Sequence, residues 1–343
     1  MNRLPGSDEH IAVVVIGRNE GANLALCLES ILAVRDSLLS IDITYVDSAS
    51  TDGSPELAER LGARVIRVSG QPMTAARGRN VGWTPTKAPF VLFLDGDTVL
   101  HPLFLERALA ALNDPKLGQQ TAAVWGHRRE SNPSGSVYNR VLDLDWIYPA
   151  GWTEFFGGDV LVRREALVSV DGYNPELIAG EEPEMCRRLR EKGWRILHID
   201  EPMTKHDLRM THFSQYWRRA TRCGHAYAQV SSLFENTADP FWTAEARRNR
   251  KRGLLLLSLL TASVAFCFLL RSGWPLAFFI LPILALGLRS AWKARSRSES
   301  WATLLLFGLH SHLQEIPIFI GQMRYRLAKA RRRKISLIEY KRA

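Results

Sequence analysis

The sequence predicts an α/β protein with a mostly parallel sheet, followed by a transmembrane helical hairpin and a helix at the membrane surface. Three observations carry this. Short apolar, β-branched runs recur through the first hundred residues, and each gives way to a polar turn and a helix-compatible stretch. Further on, Gly253 to Leu270 is an uncharged run of 18 residues, with a second apolar run, Trp274 to Leu288, close behind. Charge divides the same way: through Trp242 the chain carries 26 basic and 31 acidic residues, whereas Thr243 to Ala343 carries 19 and 4.

Ile11 to Ile16 is continuously apolar, as in a strand covered on both faces, and Ala22 to Val34 repeats Leu24, Leu28, Ile31 and Leu32 at helical spacing. Ile43 to Val46 reads as a second strand. Ser54 reads as the N-cap of a helix from Pro55 to Leu61, stopped by Gly62; Pro55 at its first position loses nothing by lacking an N–H. Arg64 to Val68 is a third strand, Thr74 to Val81 a helix, and Phe90 to Leu94 a fourth strand. The alternation implies parallel strands with helices on both faces. Such sheets bind ligands beyond the carboxyl ends of their strands. The polar residues gather there: Gly17-Arg18-Asn19-Glu20-Gly21, then Asp47 through Ser54, then Asp95-Gly96-Asp97-Thr98.

Composition excludes several classes. The chain has 24 Gly and 16 Pro in 343 residues and no repeat at a solenoid period, so it is neither collagen-like nor a repeat array. Its length exceeds the roughly 250 to 300 residues at which a single core stops growing. The expected division is a larger domain over 1–242 and an anchoring region over 243–343. Cys27, Cys186, Cys223 and Cys267 are too scattered for a zinc site or a disulfide framework. Met1 to His10 lacks the apolar core of a secretory signal, which places the first domain in the cytoplasm. The net charge of +10 comes from the tail, where basic residues alternate with apolar runs, so it suits anionic lipids and no nucleic acid.

Asp95-Gly96-Asp97 is the most informative tripeptide. Two carboxylates on one tight turn after a buried strand offer hard oxygen ligands for Mg2+ or Mn2+ holding a diphosphate. The whole set of motifs, from Ile11 to about Arg222, resembles the inverting nucleotide-sugar glycosyltransferases of family 2, whose fold is the Rossmann-like A-type. By that resemblance Gly17, Arg18, Asn19, Glu20 and Asp47 contact the nucleoside, Asp95 lies on the ribose or base side, and Asp97 ligates the metal. Asp52 and Ser54 fix the turn and cap the helix. Arg77-Gly78-Arg79-Asn80-Val81-Gly82 is similar to the family's helix from which an arginine and an asparagine face the donor; a guanidinium suits a diphosphate. Gly157-Gly158 resembles the glycine pair against which the donor sugar lies, and Asp171-Gly172-Tyr173 the turn that follows it.

Gly180-Glu181-Glu182 stands where the family usually has Glu-Asp. An inverting displacement needs one base beside the acceptor hydroxyl, and a second carboxylate raises its pKa usefully. Glu182 is expected as that base, with Glu181 orienting the acceptor; both also complement the dipole of the helix they open. His206 stands where the family often has a third metal ligand, with His212 in reserve. Gln215-Tyr216-Trp217-Arg218-Arg219 resembles the Gln-x-x-Arg-Trp motif of processive synthases without its final Trp; Arg218 or Arg219 is expected to close over the pyrophosphate.

In the tail, basic residues from Arg247 to Arg252 and from Arg289 to Arg297 flank the hairpin 253–270 and 274–288. The positive-inside bias puts both flanks in the cytoplasm; a re-entrant hairpin is the competing geometry. Trp301 to Gly321, interrupted by His310, His312, Gln314 and Glu315, reads as an interfacial helix, with Arg331 to Lys334 among the headgroups beyond it. The expectation is a metal-dependent glycosyltransferase on the cytoplasmic face of an inner membrane. Its donor is a nucleotide-diphosphate sugar, UDP first, and its acceptor a lipid-linked or saccharide hydroxyl in envelope or exopolysaccharide assembly. Transfer to polyprenyl phosphate and a silent nucleotide-sugar-binding scaffold are the alternatives.

Overall fold

The computed structural model describes residues 10–35, 40–70, 72–117, 119–298 and 300–333. They form two compact units: one runs to Ser131 and resumes over Trp146–Asp207, and the other comprises Asn132–Asp145 and the chain from Leu208 onward.

The first unit is a nine-stranded mixed sheet. Its strands are β1 His10–Gly17, β2 Ser40–Asp47, β3 Arg64–Arg67, β4 Phe90–Asp95, β5 Thr98–Leu100, β6 Thr121–Glu130, β7 Gly151–Thr153, β8 Val160–Arg163 and β9 Arg195–His206. Helices α1 Ala22–Arg35, α2 Ser54–Arg60, α3 Ala75–Trp83, α4 Phe104–Asn113, α6 Arg164–Ser169 and α7 Glu181–Glu191 belong to this unit, and α5 Val137–Asp145 to the other. Strand order is β3-β2-β1-β4-β8-β6-β9-β5, with β7 paired to β9. The first four strands are parallel, as the alternation predicts, and Val13, Val15, Leu92 and Phe93 are fully buried between the layers. Beyond β4 the sheet turns mixed, since β8 runs antiparallel to β4 and β6.

Register positions the site. Gly17 lies opposite Asp47 and Ile16 opposite Asp95, so the three polar loops leave the sheet side by side. One local expectation is shifted by a residue. Gly53, at φ 78°, occupies the cap of α2, and Asp52 supplies the capping oxygen, accepting the Ser54 N–H at 3.1 Å. Ser54 is therefore the first helical residue, and a left-handed cap suits glycine, which has no Cβ to clash.

The second unit is helical: α5, then α8 Phe213–Phe234, α9 Thr243–Leu270, α10 Ala277–Lys293, α11 Trp301–Leu313 and α12 Glu315–Ala330. Thr243–Leu270 and Trp274–Lys293 are long and apolar enough to cross a membrane, and Phe268 and Leu269 are 81% and 73% exposed. The stretch expected as one interfacial helix is two. Pro317 has no N–H to return to the Leu313 carbonyl, so α11 ends there and α12 begins afresh. Leu304, Phe307, Ile316 and Ile318 are buried within the unit. Helices α8 and α12 touch backbone to backbone, because a Cβ on Gly224 would stand 2.0 Å from the Ile318 carbonyl oxygen, and one on Gly321 2.0 Å from that of Thr221. His310, also buried, joins Asp145 at 3.0 Å to the Tyr216 hydroxyl at 2.8 Å. Lys334 and the remaining basic tail lie outside the described residues.

Candidate active site

The loops after β1 and β2 are laced together. Asn19, in the left-handed region at φ 56°, donates its N–H to Ser50 Oγ at 2.9 Å and accepts the Thr51 N–H on Oδ1 at 2.7 Å. Asp47 is buried and accepts the Tyr45 hydroxyl at 3.2 Å and the Ser50 N–H at 3.0 Å. Glu20 is buried too, its Cγ within 3.1 Å of where a Cβ of Gly96 would stand. Gly17, Arg18, Asn19, Glu20 and Asp47 thus share one edge of the sheet, as the sequence predicts.

The next loop brings together residues that could hold a cation. Asp95, Asp97 and His206 bring one ligand atom each to within 4.8 Å of one another. His206 Nε2 is 3.2 Å from Asp97 Oδ2, and both side chains are buried. What joins residues 109 positions apart is a short antiparallel ladder in which Thr98 faces His206, closed by the Asp207 N–H on the Asp97 carbonyl at 3.2 Å. Two carboxylates and an imidazole are hard and borderline donors, and this set fits Mg2+ or Mn2+. His212 is outside the set; it caps α8 in a capping box with Gln215.

Arg79 lies at the centre, 2% exposed. Its Nη1 donates to Glu181 Oε1 at 3.1 Å and to Glu182 Oε1 at 2.9 Å, its Nη2 donates to Asp95 Oδ1 at 3.1 Å, and its guanidinium sits 5.4 Å from the centre of the Tyr173 ring. Both glutamates stand on the first turn of α7. Burial, and next the Glu181 charge, push the Glu182 carboxyl up to about 7 despite Arg79. Burial also raises Asp95, but the Arg79 and Arg128 guanidiniums outweigh it and hold that carboxyl below the usual range.

Several contributors were not singled out in the sequence. Asp159, on the loop into β8, accepts the Asp95 N–H at 3.2 Å and the Thr204 hydroxyl at 2.7 Å. Arg128 on β6 reaches Asp95 at 3.5 Å and Asp159 at 3.6 Å, and lies 5.0 Å over the Trp146 ring, which meets His206 edge-on at 5.2 Å. Asp159 directly follows the glycine pair, and that adjacency was the one signal available for it.

The other expected residues have these surroundings. Asn80 grips the backbone of Tyr173, donating to its carbonyl at 2.6 Å and accepting its N–H at 3.0 Å. Arg77 donates to the carbonyls of Ser69 at 2.8 Å and Gly70 at 3.2 Å, on an exposed loop. Gly158 abuts Asp95, while among the described residues no atom beyond its chain neighbours lies within 4 Å of where a Cβ of Gly157 would be. Arg218 and Arg219 are on α8, in the second unit.

Comparison with known proteins identifies the family. The family profile Glycosyl transferase family 2 matches residues 12–167, and Glycosyl transferase family group 2 matches residues 90–315. Glycosyltransferase AglE of Haloferax volcanii is 21% identical over 65% of this chain and 74% of its own. The pre-mycofactocin glycosyltransferase of Mycobacterium tuberculosis is 26% identical over 60% of this chain, and the beta-monoglucosyldiacylglycerol synthase of a Nostoc species 23% over 56%. The matches span 45% and 44% of those two relatives' own lengths. Among solved structures, the mannosyltransferase PcManGT of Pyrobaculum calidifontis superposes with a TM-score of 0.59 at 18% identity, covering 93% of this chain and 87% of that one. Residues 1–349 of S. aureus TarS superpose with a TM-score of 0.50 at 16% identity, over 93% and 92%. With the second profile alone covering well over half of the sequence, the chain belongs to glycosyl transferase family 2, the nucleotide-sugar glycosyltransferases.

Proposed function

We propose that the protein is a metal-dependent, inverting glycosyltransferase anchored in a membrane, with its catalytic residues in the first unit. The observation that carries the reading is one buried guanidinium, Arg79, between a cation-binding set at Asp95, Asp97 and His206 and a paired carboxylate at Glu181 and Glu182. Mg2+ or Mn2+, when bound, neutralises charge on the departing diphosphate. Asp97 and His206 hold it from the ladder, and Asp47, with the loop Gly17 to Glu20, seats the nucleoside. Glu182 takes the proton of the acceptor hydroxyl as that oxygen bonds to the anomeric carbon. The bond from that carbon to the diphosphate oxygen breaks, its electron pair leaves with the nucleoside diphosphate, and the configuration inverts. A base titrating near neutrality suits this step.

Helices α9 and α10 support the anchor, through their length and the exposed apolar residues they carry. We read them as a hairpin with both basic flanks in the cytoplasm, at an inner membrane and beside anionic lipids. Anchoring raises the effective concentration of a lipid-linked acceptor, in envelope or exopolysaccharide synthesis. The name of the Nostoc relative, a glucosyldiacylglycerol synthase, supports a lipid acceptor. The Pyrobaculum structure was solved with GDP-Man and Mn2+, which supports a nucleotide-sugar donor and a divalent cation; UDP and GDP are both candidates for the nucleotide. Thermal shift of the detergent-solubilised protein against nucleotide-sugars, with and without Mn2+, tests the reading. One donor stabilising only in the presence of metal is the expected result, and metal-independent stabilisation would remove the cation from the mechanism.

A further inference from the structure

Glu182 and Asp95 belong to different halves of the reaction, yet each relies on the same cation. Arg79 Nη1 is shared between Glu181 and Glu182, and Nη2 is given to Asp95. Arg79 is buried, as is Glu181, and Glu182 is half-buried, so solvent screens these ion pairs poorly. A single guanidinium facing three carboxylates cannot satisfy all of them fully. Whatever one carboxylate gives up, the others take.

We propose that Arg79 is a positioning residue that couples the two half-sites, so that the charge on Glu182 controls how firmly Asp95 is held away from a divalent cation. With Glu182 ionised, Arg79 divides its charge and Asp95 is available as a ligand. When Glu182 is neutral, the guanidinium concentrates on Asp95 and competes with the incoming metal. The coupling is reciprocal: metal bound at Asp95 releases Arg79 toward Glu182 and fixes that carboxylate in place. This inference rests on the cation set proposed above, and adds its connection to Glu182.

A double-mutant cycle on Mn2+ affinity, read by calorimetry on the full detergent-solubilised chain without donor, tests it. Glu182→Gln weakens Mn2+ binding about five-fold more in the presence of Arg79 than in an Arg79→Gln background. A direct charge effect of Glu182 on the metal would be equal or larger once Arg79 is gone, and that outcome overturns the proposal. If Arg79→Gln does not fold, Arg79→Lys replaces it, since one ammonium cannot span Asp95 and Glu182 and the coupling falls in the same direction. Asp97→Asn abolishes binding in every background; Mn2+ binding that survives it overturns both the coupling and the cation set. Transfer by Glu182→Gln is measured separately. Retained transfer removes the base assignment and leaves the coupling standing.

Discussion

Gly158 faces the carboxylate of Asp95 so closely that a Cβ at this position would stand 2.7 Å from Asp95 Oδ2 and 3.1 Å from Arg79 Nη2. The other glycine of the pair, Gly157, has no described residue beyond its chain neighbours within 4 Å of its missing Cβ. One sequence doublet therefore contains two different requirements. The backbone passes Gly158 because the Asp95–Arg79 pair leaves room for a hydrogen and no more.

Gly158→Ala is expected to displace Asp95 and lower kcat/KM by about 100-fold, the loss that follows a misplacement of about 1 Å in a reacting group. Gly157→Ala, whose added Cβ meets no described residue, should leave Asp95 in place and lose less activity than Gly158→Ala, even with the donor sugar lying against the pair. Steady-state kinetics on the pair decides the point, and equal losses would refute the close approach.

The pH profile follows from Glu182. Transfer requires its carboxylate, and burial followed by the Glu181 charge places the titration at about 7. We expect kcat/KM to fall about tenfold for each pH unit below that value and to level off above it. Glu182→Gln should lose the activity and the profile together. The stability sign is the opposite. A carboxyl titrating above its ordinary 4.5 contributes stability that is whole below 4.5 and lost as pH rises through about 7. Melting temperatures measured from pH 5 to 8 should therefore fall less steeply in Glu182→Gln than in the parent.

The parallel half of the sheet was legible because its strands are buried on both faces, and runs such as Ile11 to Ile16 are too short and too rich in β-branched residues to suit a buried helix. The loops that follow those strands were legible for the same reason. The second half was harder: β6 pairs with β9 through several register shifts, and Arg128 enters the site from a strand whose pattern does not distinguish inward from outward residues. Arg79, Asn80, Glu181, Glu182 and Asp95 were each singled out, but the pairing of Arg79 with the three carboxylates was not. A guanidinium suits a diphosphate and a carboxylate equally well, and only the fold shows that Glu181, Glu182 and Asp95 converge on it. The split at Gln314 was available in Pro317, which removes one helical hydrogen bond wherever it falls inside a helix.

Asp159 supports the loop that carries Asp95 and Asp97. Asp159→Asn places an amide where two donors, the Asp95 N–H and the Thr204 hydroxyl, now find acceptors. The expected result is a Mn2+ affinity lowered about ten-fold, as for supporting partners of metal ligands, which a calorimetric titration measures. Unchanged affinity would show that the loop holds Asp95 by itself.

The helical unit has its own test. Gly321→Ala forces a Cβ against the Thr221 carbonyl, and the α8–α12 crossing must open. A destabilisation of about 2 kcal/mol is expected, the usual result of overpacking, read from denaturant unfolding in detergent. Gly273→Ala, in open space between α9 and α10, is the control and should be nearly silent.

The ladder that sets Thr98 opposite His206 has a thermodynamic consequence. Backbone hydrogen bonds, rather than a ligand, bring Asp97 and His206 together, so a cation bound there would meet a site that has already paid its ordering entropy. A cation bound there would bury almost no apolar surface and fold no segment. Calorimetry across a range of temperatures should then give a binding enthalpy that hardly varies, with a heat-capacity change near zero, unlike proteins that fold around their metal.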